Sequence, residues 1–194
     1  MKIGVVGIGN IAKKAYLSTY STNRNQAEFL FSTRNDQEKV KAWLKEKYGF
    51  HEFYPTVTSL IENGIKGCFI HSATKSHYQI AKECLQNGIH VYMDKPVSES
   101  LDETKELMAM ARDENLILMA GFNRRFAPFV NRLKEIPQKR IINLRKNVSE
   151  FEQLTDVAVY DMFSHLVDTA VYLMDQTVDT MSFKIAESEN MGKY

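Results

Sequence analysis

The chain has 194 residues, of which 44% are hydrophobic and 25% are charged, and its formal net charge is +1. This balance is typical of a soluble globular protein and gives no electrostatic reason to expect nucleic acid or an anionic membrane as a partner. No apolar stretch approaches the ~20 residues that a membrane-spanning helix needs. The N-terminus enters a predicted strand at once and leaves no room for a signal peptide, so we expect a cytoplasmic protein. The two cysteines, Cys68 and Cys84, are predicted to be buried free thiols.

Short apolar strands alternate with amphipathic helices through the first 121 residues. The predicted strands are Lys2–Val6, Ala27–Ser32, Gly67–Ser72, His90–Met93 and Leu116–Ala120. The predicted helices are Ile11–Thr19, Asp36–Tyr48, Val57–Asn63, His77–Asn87 and Ser100–Glu114. Strands separated by helices of this size form parallel, right-handed βαβ units. The pattern therefore predicts an α/β fold whose N-terminal domain is a Rossmann doubly wound parallel sheet.

The alternation stops after Gly121, which divides the chain into domains at residues 1–121 and 122–194. The predicted elements of the second part are a short helix, a charged strand, a polar loop, a longer helix and a last strand, at Phe129–Lys134, Arg140–Val148, Ser149–Asp156, Tyr160–Met174 and Val178–Ala186. So few elements do not close a hydrophobic core. We therefore expect a truncated, open-sheet α/β domain whose apolar face another copy covers in a homo-oligomer.

A glycine-rich turn, Gly7-Ile8-Gly9-Asn10-Ile11-Ala12, follows the first predicted strand and opens the first predicted helix. Gly7 suits a tight turn, Gly9 lets a pyrophosphate approach the backbone, and Ala12 permits close packing of the helix on the sheet. Free amides and the helix dipole at this point favour phosphates. We predict that Gly7, Gly9, Asn10 and Ile11 bind a dinucleotide, and a plain tight turn is the alternative.

The residues after the second predicted strand bear on which dinucleotide binds. NAD sites usually place an acid there for the ribose hydroxyls, whereas NADP sites place hydroxyls and an arginine. Thr33 and Arg34 follow the strand, and the first acid is Asp36. Because a hydroxyl and a guanidinium suit a 2′-phosphate, NADP is favoured over NAD. A solvated arginine, with Asp36 as a helix N-cap, is the alternative.

Two histidines flank the turn after the third predicted strand. Ser72, Thr74 and His77 lie at the expected cofactor edge of the sheet. His77 contacts the nicotinamide ribose or the substrate in one interpretation, and only packs in the other. His71 falls inside the strand and is predicted to be a core histidine with its hydrogen bonds satisfied.

The strand Val91-Tyr92-Met93 runs into Asp94-Lys95-Pro96. In an open parallel sheet, ligands bind outside the carboxyl ends of the strands, so Lys95 is expected at the mouth of the cleft. Pro96 keeps Lys95 out of the helical region and so directs its side chain. We also predict a cis Lys95–Pro96 bond, since a proline at a functional cleft is a good candidate for that isomer. An ordinary strand end with a solvated lysine is the alternative.

A polar stripe of Asp161, His165, Asp168 and Tyr172 runs along the predicted helix Tyr160–Met174, between apolar flanks. A histidine with carboxylates one turn away on either side can be oriented and tuned for acid–base chemistry. One alternative is an amphipathic helix with its polar side in water. Another is a metal site, which we do not expect because no further Cys or His cluster accompanies these residues.

Together these motifs resemble the Gfo/Idh/MocA oxidoreductase family over nearly the whole chain, and within it the MviM-like oxidoreductases. The glycine-rich turn is similar to the family's dinucleotide turn, and His77 to its histidine after the fourth strand. Asp94-Lys95-Pro96 resembles its Glu-Lys-Pro motif. The segment Gly121-Phe122-Asn123-Arg124-Arg125-Phe126 resembles the family's domain-junction motif. The pattern Asp161-x-x-x-His165-x-x-Asp168 resembles the family's catalytic helix.

The resemblance implies an NAD(P)-dependent oxidoreductase that exchanges hydride at a carbinol carbon of a sugar, cyclitol or related polyol. It implies that Lys95 bridges nicotinamide and the reacting hydroxyl, and that His165 is the general acid/base. It also implies that Asp161 orients His165 or binds a substrate hydroxyl, and that Arg124 contacts substrate. The second domain would serve substrate binding or oligomerisation, and Lys95 and His165 would face each other across one pocket. By the same resemblance, Asp94 contacts the nicotinamide ribose.

Three departures from the family pattern qualify these expectations. Asp94 is one methylene shorter than the usual Glu, and Thr74 stands where a proline is usual. Only the beginning of the family's second domain is recognisable in the chain. A nucleotide-binding regulatory or scaffolding protein, with the same fold and no turnover, is therefore the alternative function.

Overall fold

The computed structural model describes residues 1–32, 37–147, 158–174, 177–182 and 184. The chain divides into two units, Met1–Gly121 and Phe122–Tyr194. Among the described residues, no helix is both long and apolar enough to cross a bilayer. The predicted loop Ser149–Asp156 lies outside the described residues.

A parallel sheet is the centre of the first unit, and within the described residues it has six strands in the order β3-β2-β1-β4-β5-β6. The strands β1 to β6 are, in turn, Lys2–Val6, Glu28–Ser32, Phe53–Tyr54, Gly67–Ile70, His90–Met93 and Leu118–Ala120. Every neighbouring pair is parallel. The predicted α/β class and parallel pairing are therefore confirmed.

Helices connect these strands and cover the sheet. The helices α1 to α5 are, in turn, Leu17–Thr22, Gln37–Tyr48, Val57–Glu62, His77–Gln86 and Leu101–Asp113. Val5 of β1 lies in a buried cluster with Leu17 of α1 and Leu44 of α2. Its neighbour Val6 lies in a second cluster with residues of α3, α4 and α5, among them Leu60. Because successive strand residues face opposite sides of a sheet, the two clusters are the cores on its two faces, as in a doubly wound fold.

The strand order places a topological switch point at β1. The chain runs outward from β1 to β2 and β3 and then returns to β4 on the other side of β1. In open α/β sheets the ligand crevice lies outside the carboxyl ends of the strands at such a point. The segments after β1 and β4 are therefore where a ligand is expected.

Several predicted boundaries agree with the structure and others differ. The strands Lys2–Val6 and His90–Met93 have the predicted ends, whereas the two-residue strand Phe53–Tyr54 was not predicted. The first helix continues past its predicted end at Thr19 to Thr22, and it contains a π-helical segment, Ala12–Tyr16. A strand of two residues is too short to show a hydrophobic period in the sequence. The π-helical segment has an extra residue in its turn, which breaks the helical period of 3.6 residues.

The second unit holds two α-helices within the described residues, α6 (Pro128–Lys134) and α7 (Ser164–Leu173). A π-helical segment, Ala158–Phe163, leads into α7. The predicted strand Arg140–Val148 is wrong over residues 140–147, which are neither helix nor strand. A strand exists only through hydrogen bonds to a neighbouring strand, and no described residue pairs with this stretch. The described residues of the predicted strand Val178–Ala186 are likewise irregular.

Candidate functional site

Three segments meet at the carboxyl edge of the sheet because β1, β4 and β5 are neighbours. The backbone amide of His71 donates to the carbonyl of Val6 at 2.7 Å, and that of Asp94 donates to the carbonyl of Ile70 at 3.0 Å. The glycine-rich turn, the loop after β4 and the Lys95 segment are therefore held side by side. Their position agrees with the predicted cofactor edge.

The glycine-rich turn requires glycine at its first position. Gly7 has φ +92°, and a Cβ there would lie 2.6 Å from the amide nitrogen of Ser72. Both the backbone conformation and the close approach of the β4 loop exclude a side chain. At Gly9 an added Cβ would meet nothing closer than the His71 carbonyl oxygen at 3.9 Å. The space at Gly9 fits a pyrophosphate that approaches the backbone, which is the role predicted for this residue.

The first helix presents its initial residues to solvent. Residues 10 and 11 are already helical, and both are exposed. Ile11 retains 46% of its surface, although it is a large apolar residue next to a buried core. Exposed residues at a helix N-terminus, beside an open glycine, suit a phosphate-binding site. The assignment of Asn10 and Ile11 to the cofactor stays a prediction.

The loop after β4 forms a compact turn behind Gly7. Ser76 donates to the Ser72 hydroxyl at 2.7 Å, and Thr74 begins a short 3₁₀ turn and is partly exposed. His77 is only 1% exposed. Its Nδ1 lies 2.8 Å from the Pro96 carbonyl oxygen and its Nε2 lies 3.0 Å from the Ser72 carbonyl oxygen. His77 thus lies between two loops, as in the packing alternative, and its contact with cofactor or substrate stays a prediction.

The Lys95 segment continues directly from β5. Lys95 is partly exposed, and the Lys95–Pro96 bond is cis, as predicted. The His77 ring bonds the carbonyl oxygen of Pro96, so the residue after Lys95 is tied to the start of α4. Lys95 therefore lies at the carboxyl end of its strand, where the motif predicted it.

Asp94 is turned into the protein. Its Oδ1 accepts a hydrogen bond from the Tyr16 hydroxyl at 2.9 Å, and its Oδ2 lies 3.0 Å from Nδ1 of His71. The side chain of Asp94 is only 15% exposed and that of His71 is fully buried. Nε2 of His71 lies 2.6 Å from the Tyr20 hydroxyl. The prediction of a satisfied core histidine at position 71 is confirmed.

Three tyrosines surround this buried pair, and none of them was predicted to belong to the site. The Tyr16 ring stacks on His71 at 4.1 Å between centroids, and its hydroxyl lies 2.9 Å from that of Tyr92. The pKa of Tyr16 is raised, first by burial and then by hydrogen bonding and nearby negative charge. Burial is also the largest cause of the raised pKa of Tyr20 and of Tyr92. These phenols therefore stay neutral donors. Strand alternation, which places Tyr92 on the same face as Asp94, is the signal that could have found the last of them.

In the second unit, an ion pair anchors the helix α7 that carries His165. Nε of Arg125 donates to both carboxylate oxygens of Asp168, at 2.9 and 3.0 Å, and Nη2 of Arg125 donates to Oδ1. The guanidinium also lies over the ring of Tyr172, at 5.4 Å from its centroid. Hydrogen bonding to Asp168 raises the pKa of Arg125. The side chain of Asp168 is 7% exposed and that of Arg125 is 40% exposed, so the carboxylate of this ion pair is buried in the unit.

Within the polar stripe, Asp168 does not lie on a solvated face of α7. Asp168 and Thr169 are buried, whereas the apolar Val167 and Val171 are 38% and 47% exposed. His165 is partly buried, and the Phe122 ring meets its imidazole edge to face at 6.0 Å between centroids. The alternative of an amphipathic helix with its polar side in water is therefore wrong for Asp168.

The four remaining predicted site residues are Arg124, Thr33, Arg34 and Asp161. Arg124 lies in the 3₁₀ turn Asn123–Phe126 and is partly exposed. Thr33 and Arg34, predicted to bind the 2′-phosphate, lie outside the described residues, as does the side chain of Asp161. The described part of the chain has no group of three or more His, Cys, Asp or Glu that could hold a metal ion. That Lys95 and His165 share one pocket stays a prediction.

The predicted buried thiols are confirmed. Cys68 and Cys84 are both buried and free, on β4 and α4. Hydrogen bonding to Cys84, together with burial, raises the pKa of the Cys68 thiol well above its usual value. A buried thiol is unreactive, so neither cysteine is assigned to the candidate site.

Comparisons with known proteins agree with this geometry. Residues 1–122 match the profile of the Gfo/Idh/MocA family, described as "Oxidoreductase family, NAD-binding Rossmann fold". The chain is 32% identical over 193 residues to a Salmonella typhimurium protein named "Putative oxidoreductase YceM", covering 98% of this chain and 62% of the relative. It is 25% identical over 209 residues to myo-inositol 2-dehydrogenase of Thermotoga maritima, covering 100% of this chain and 61% of the relative.

A solved structure extends the likeness to three dimensions. The crystal structure of a dehydrogenase (MviM) from Clostridium difficile matches 98% of this chain and 63% of its own, with a TM-score of 0.81 and 29% identity. The chain thus spans 61% to 63% of the length of these three proteins. The likeness covers the whole first unit and continues into the second.

Proposed function

This chain belongs to the Gfo/Idh/MocA family of oxidoreductases with an NAD-binding Rossmann fold, and we propose that it transfers hydride between nicotinamide and a carbinol carbon of a sugar, cyclitol or other polyol. The proposal rests on one observation. Lys95 comes after β5 at the same sheet edge where the Gly7 turn comes after β1, with only β4 between them. A cation at that position lies where a Rossmann fold binds its dinucleotide.

The proposed mechanism divides the work between the cofactor and named side chains. When bound, the nicotinamide ring supplies the hydride donor or acceptor. Lys95 stabilises the negative charge that develops on the reacting oxygen, because its ammonium is a donor in a partly desolvated site. His165 takes the hydroxyl proton during oxidation and returns it during reduction. Asp161 orients His165 or binds a substrate hydroxyl, and Arg124 holds another part of the substrate.

The cofactor is proposed to be NADP in preference to NAD. The basis is the sequence Thr33-Arg34 after β2, which offers a hydroxyl and a guanidinium and no carboxylate at the usual ribose position. The residues that would hold the pyrophosphate are Gly7, Gly9, Asn10 and Ile11. The open space at Gly9 and the exposed start of the first helix support this part of the proposal.

The substrate class is proposed from the chemistry of the site and from relatives. An ammonium and an imidazole are groups that suit the removal of a proton from a secondary hydroxyl as hydride leaves its carbon. One relative is named for the oxidation of myo-inositol, a cyclitol. We propose that residues 122–194 contribute to substrate binding, and that copies of the whole protein associate as a homo-oligomer.

Fluorescence titration with NADPH and NADH, and then a turnover assay, tests this function. We expect NADPH to bind at least ~10-fold more tightly than NADH, because a bidentate contact to the 2′-phosphate is lost with NADH. The turnover assay measures NADP⁺ or NAD⁺ reduction over a panel of cyclitols, aldohexoses and sugar phosphates. Gly9→Ala is the control, and it should weaken NADPH binding at least ~10-fold while leaving unfolding unchanged, since the added methyl meets no protein atom closer than 3.9 Å.

The outcomes separate this proposal from a nucleotide-binding regulatory or scaffolding protein. Binding of either cofactor with turnover of any polyol supports the oxidoreductase. Binding that Gly9→Ala abolishes, with no turnover across the panel, would favour the regulatory alternative. Absence of binding of both dinucleotides would overturn both.

A further inference from the structure

The carboxylate of Asp94 is already occupied on both oxygens by groups of the protein. The Tyr16 hydroxyl donates to one oxygen at 2.9 Å, and His71 Nδ1 lies 3.0 Å from the other. A carboxylate that served mainly to bind a ribose would present an oxygen to the cleft. With 15% side-chain exposure, Asp94 presents little of itself there.

The hydrogen-bond directions in this network are mutually consistent. A carboxylate only accepts, so His71 Nδ1 carries a proton and donates it to Asp94. A neutral His71 then has a bare Nε2, which accepts from the Tyr20 hydroxyl at 2.6 Å. Tyr16 donates its only hydroxyl proton to Asp94, so its oxygen accepts from Tyr92 at 2.9 Å. Each of these groups has a partner, and bonds to a charged acceptor are stronger than neutral ones.

The network joins the two parts of the proposed cofactor site. Tyr16 is the last residue of the π-helical segment Ala12–Tyr16, directly behind the glycine-rich turn. Asp94 directly precedes Lys95, and its amide is bonded to Ile70 of β4. An extra residue in a helical turn rotates the later side chains about the helix axis by about 100°. The π-helical segment thus decides which way Tyr16 faces, and π-helical turns are frequent at functional sites.

We propose that Tyr16 and Asp94 are positioning residues for Lys95. In this role Asp94 is held by hydrogen bonds to Tyr16 and His71, and it is not a ligand of the nicotinamide ribose. The pair fixes the backbone at residues 94 and 95 and couples its position to the helix that begins at the dinucleotide turn. The inference rests on the proposed function for the role of Lys95. The hydrogen-bond coupling itself can be measured without turnover.

Tyr16→Phe tests the coupling, because it removes the hydroxyl and keeps the ring that stacks on His71. Amide hydrogen exchange is measured over residues 93–99 and over residues 7–16. We expect exchange of residues 93–99 to speed up about 10-fold, on the scale of one lost hydrogen bond to a charged group. Tyr78→Phe is the matched control, since the Tyr78 hydroxyl bonds Glu106 at an exposed site on α4. An equal and small effect of both variants would overturn the proposal.

Cofactor binding separates positioning from direct contact. If Asp94 binds the ribose, Asp94→Asn should weaken NADPH binding at least ~10-fold and Tyr16→Phe should not. If both act on Lys95, each changes the dissociation constant less than ~2-fold and lowers kcat about 10-fold. Their double variant should then lose no more than Asp94→Asn alone, because Tyr16 is proposed to act on Lys95 only through its hydrogen bond to Asp94. Additive losses, or weak NADPH binding by Asp94→Asn alone, would contradict a positioning role.

Failure of the proposed function gives a different result. A chain that binds no dinucleotide still has the Tyr16–Asp94 hydrogen bond, and the exchange experiment on the free protein decides whether it holds the Lys95 segment. Fast exchange of residues 93–99 in Tyr16→Phe, without cofactor binding in any variant, would retain the coupling and reject the oxidoreductase. Unchanged exchange of residues 93–99 in Tyr16→Phe, together with NADPH binding and turnover of a polyol, would reject the coupling and retain the oxidoreductase.

Discussion

Arg125 donates to the carboxylate of Asp168 through both Nε and Nη2, across 43 residues of sequence. Arg125 belongs to the segment that begins the second unit, and Asp168 lies one turn after His165 on α7. The side chain of Asp168 is 7% exposed and that of Arg125 is 40% exposed. The ion pair therefore holds the helix of the proposed acid/base, and it does so from its buried side.

Arg125→Met should lower the free energy of unfolding by about 2–3 kcal/mol, because it leaves the buried Asp168 carboxylate without its cation. Chemical denaturation with urea measures the change. Arg112→Met is the control: Arg112 pairs with Asp113 where both side chains are more than half exposed, so its loss should cost less than about 0.5 kcal/mol. Equal losses in the two variants would show that the Arg125 pair adds no stability.

Gly7→Ala should lower the free energy of unfolding by more than the strain of a side chain at positive φ would by itself. Gly7 and Gly64 both have positive φ, but only at Gly7 would the methyl group meet backbone, 2.6 Å from the Ser72 nitrogen. Gly64→Ala is thus the matched control and should cost about 1 kcal/mol for strain. We expect Gly7→Ala to cost at least about 2 kcal/mol more in urea unfolding and to abolish NADPH binding. Equal stability of the two variants would mean that the β4 loop moves aside freely.

Lys95→Ala should lower kcat/KM by at least about 100-fold, on the usual scale of groups that stabilise charge or move protons at the reacting oxygen. The measurement is steady-state turnover of whichever polyol the panel identifies. Lys105→Ala, on the exposed side of α5, removes an equivalent charge and should leave kcat/KM within about 2-fold. Near-native turnover of Lys95→Ala would remove Lys95 from the mechanism.

Stability should fall as the pH rises above about 10, because the pKa values of Tyr16, Tyr20 and Tyr92 are raised in the folded protein from their usual 10.0. The unfolded chain loses these protons above that pH and the folded chain keeps them, so unfolding becomes easier as pH increases. Below about pH 10 the full contribution of these three tyrosines to the free energy of unfolding is present. Phenolate absorbance should show that some of the nine tyrosines ionise only when the protein unfolds. Titration of all nine near pH 10 in the folded state would contradict this.

Local patterns were sufficient for much of the first unit. The strands Lys2–Val6 and His90–Met93 and the turn at Gly7 were predicted where the structure has them, because apolar runs and glycines act over a few residues. The stretch Arg140–Val148 has a strand-like pattern, and its described residues 140–147 are irregular. The strand prediction for this stretch was wrong because a strand needs a neighbouring strand to pair with, and no local sequence pattern supplies one.

The sequence by itself thus determined the class of fold, the glycine-rich turn at Gly7 and the position of Lys95 at the end of a strand. Only the tertiary structure decided what Asp94 and His77 bond. The partners of Asp94 are 78 and 23 residues away, and those of His77 are 19 and 5 residues away. The pairing of β4 with β1 and β5 and the π-helical turn before Tyr16 bring these groups together. Hydrogen bonds need atoms within about 3 Å, and such distances depend on packing and not on spacing along the chain.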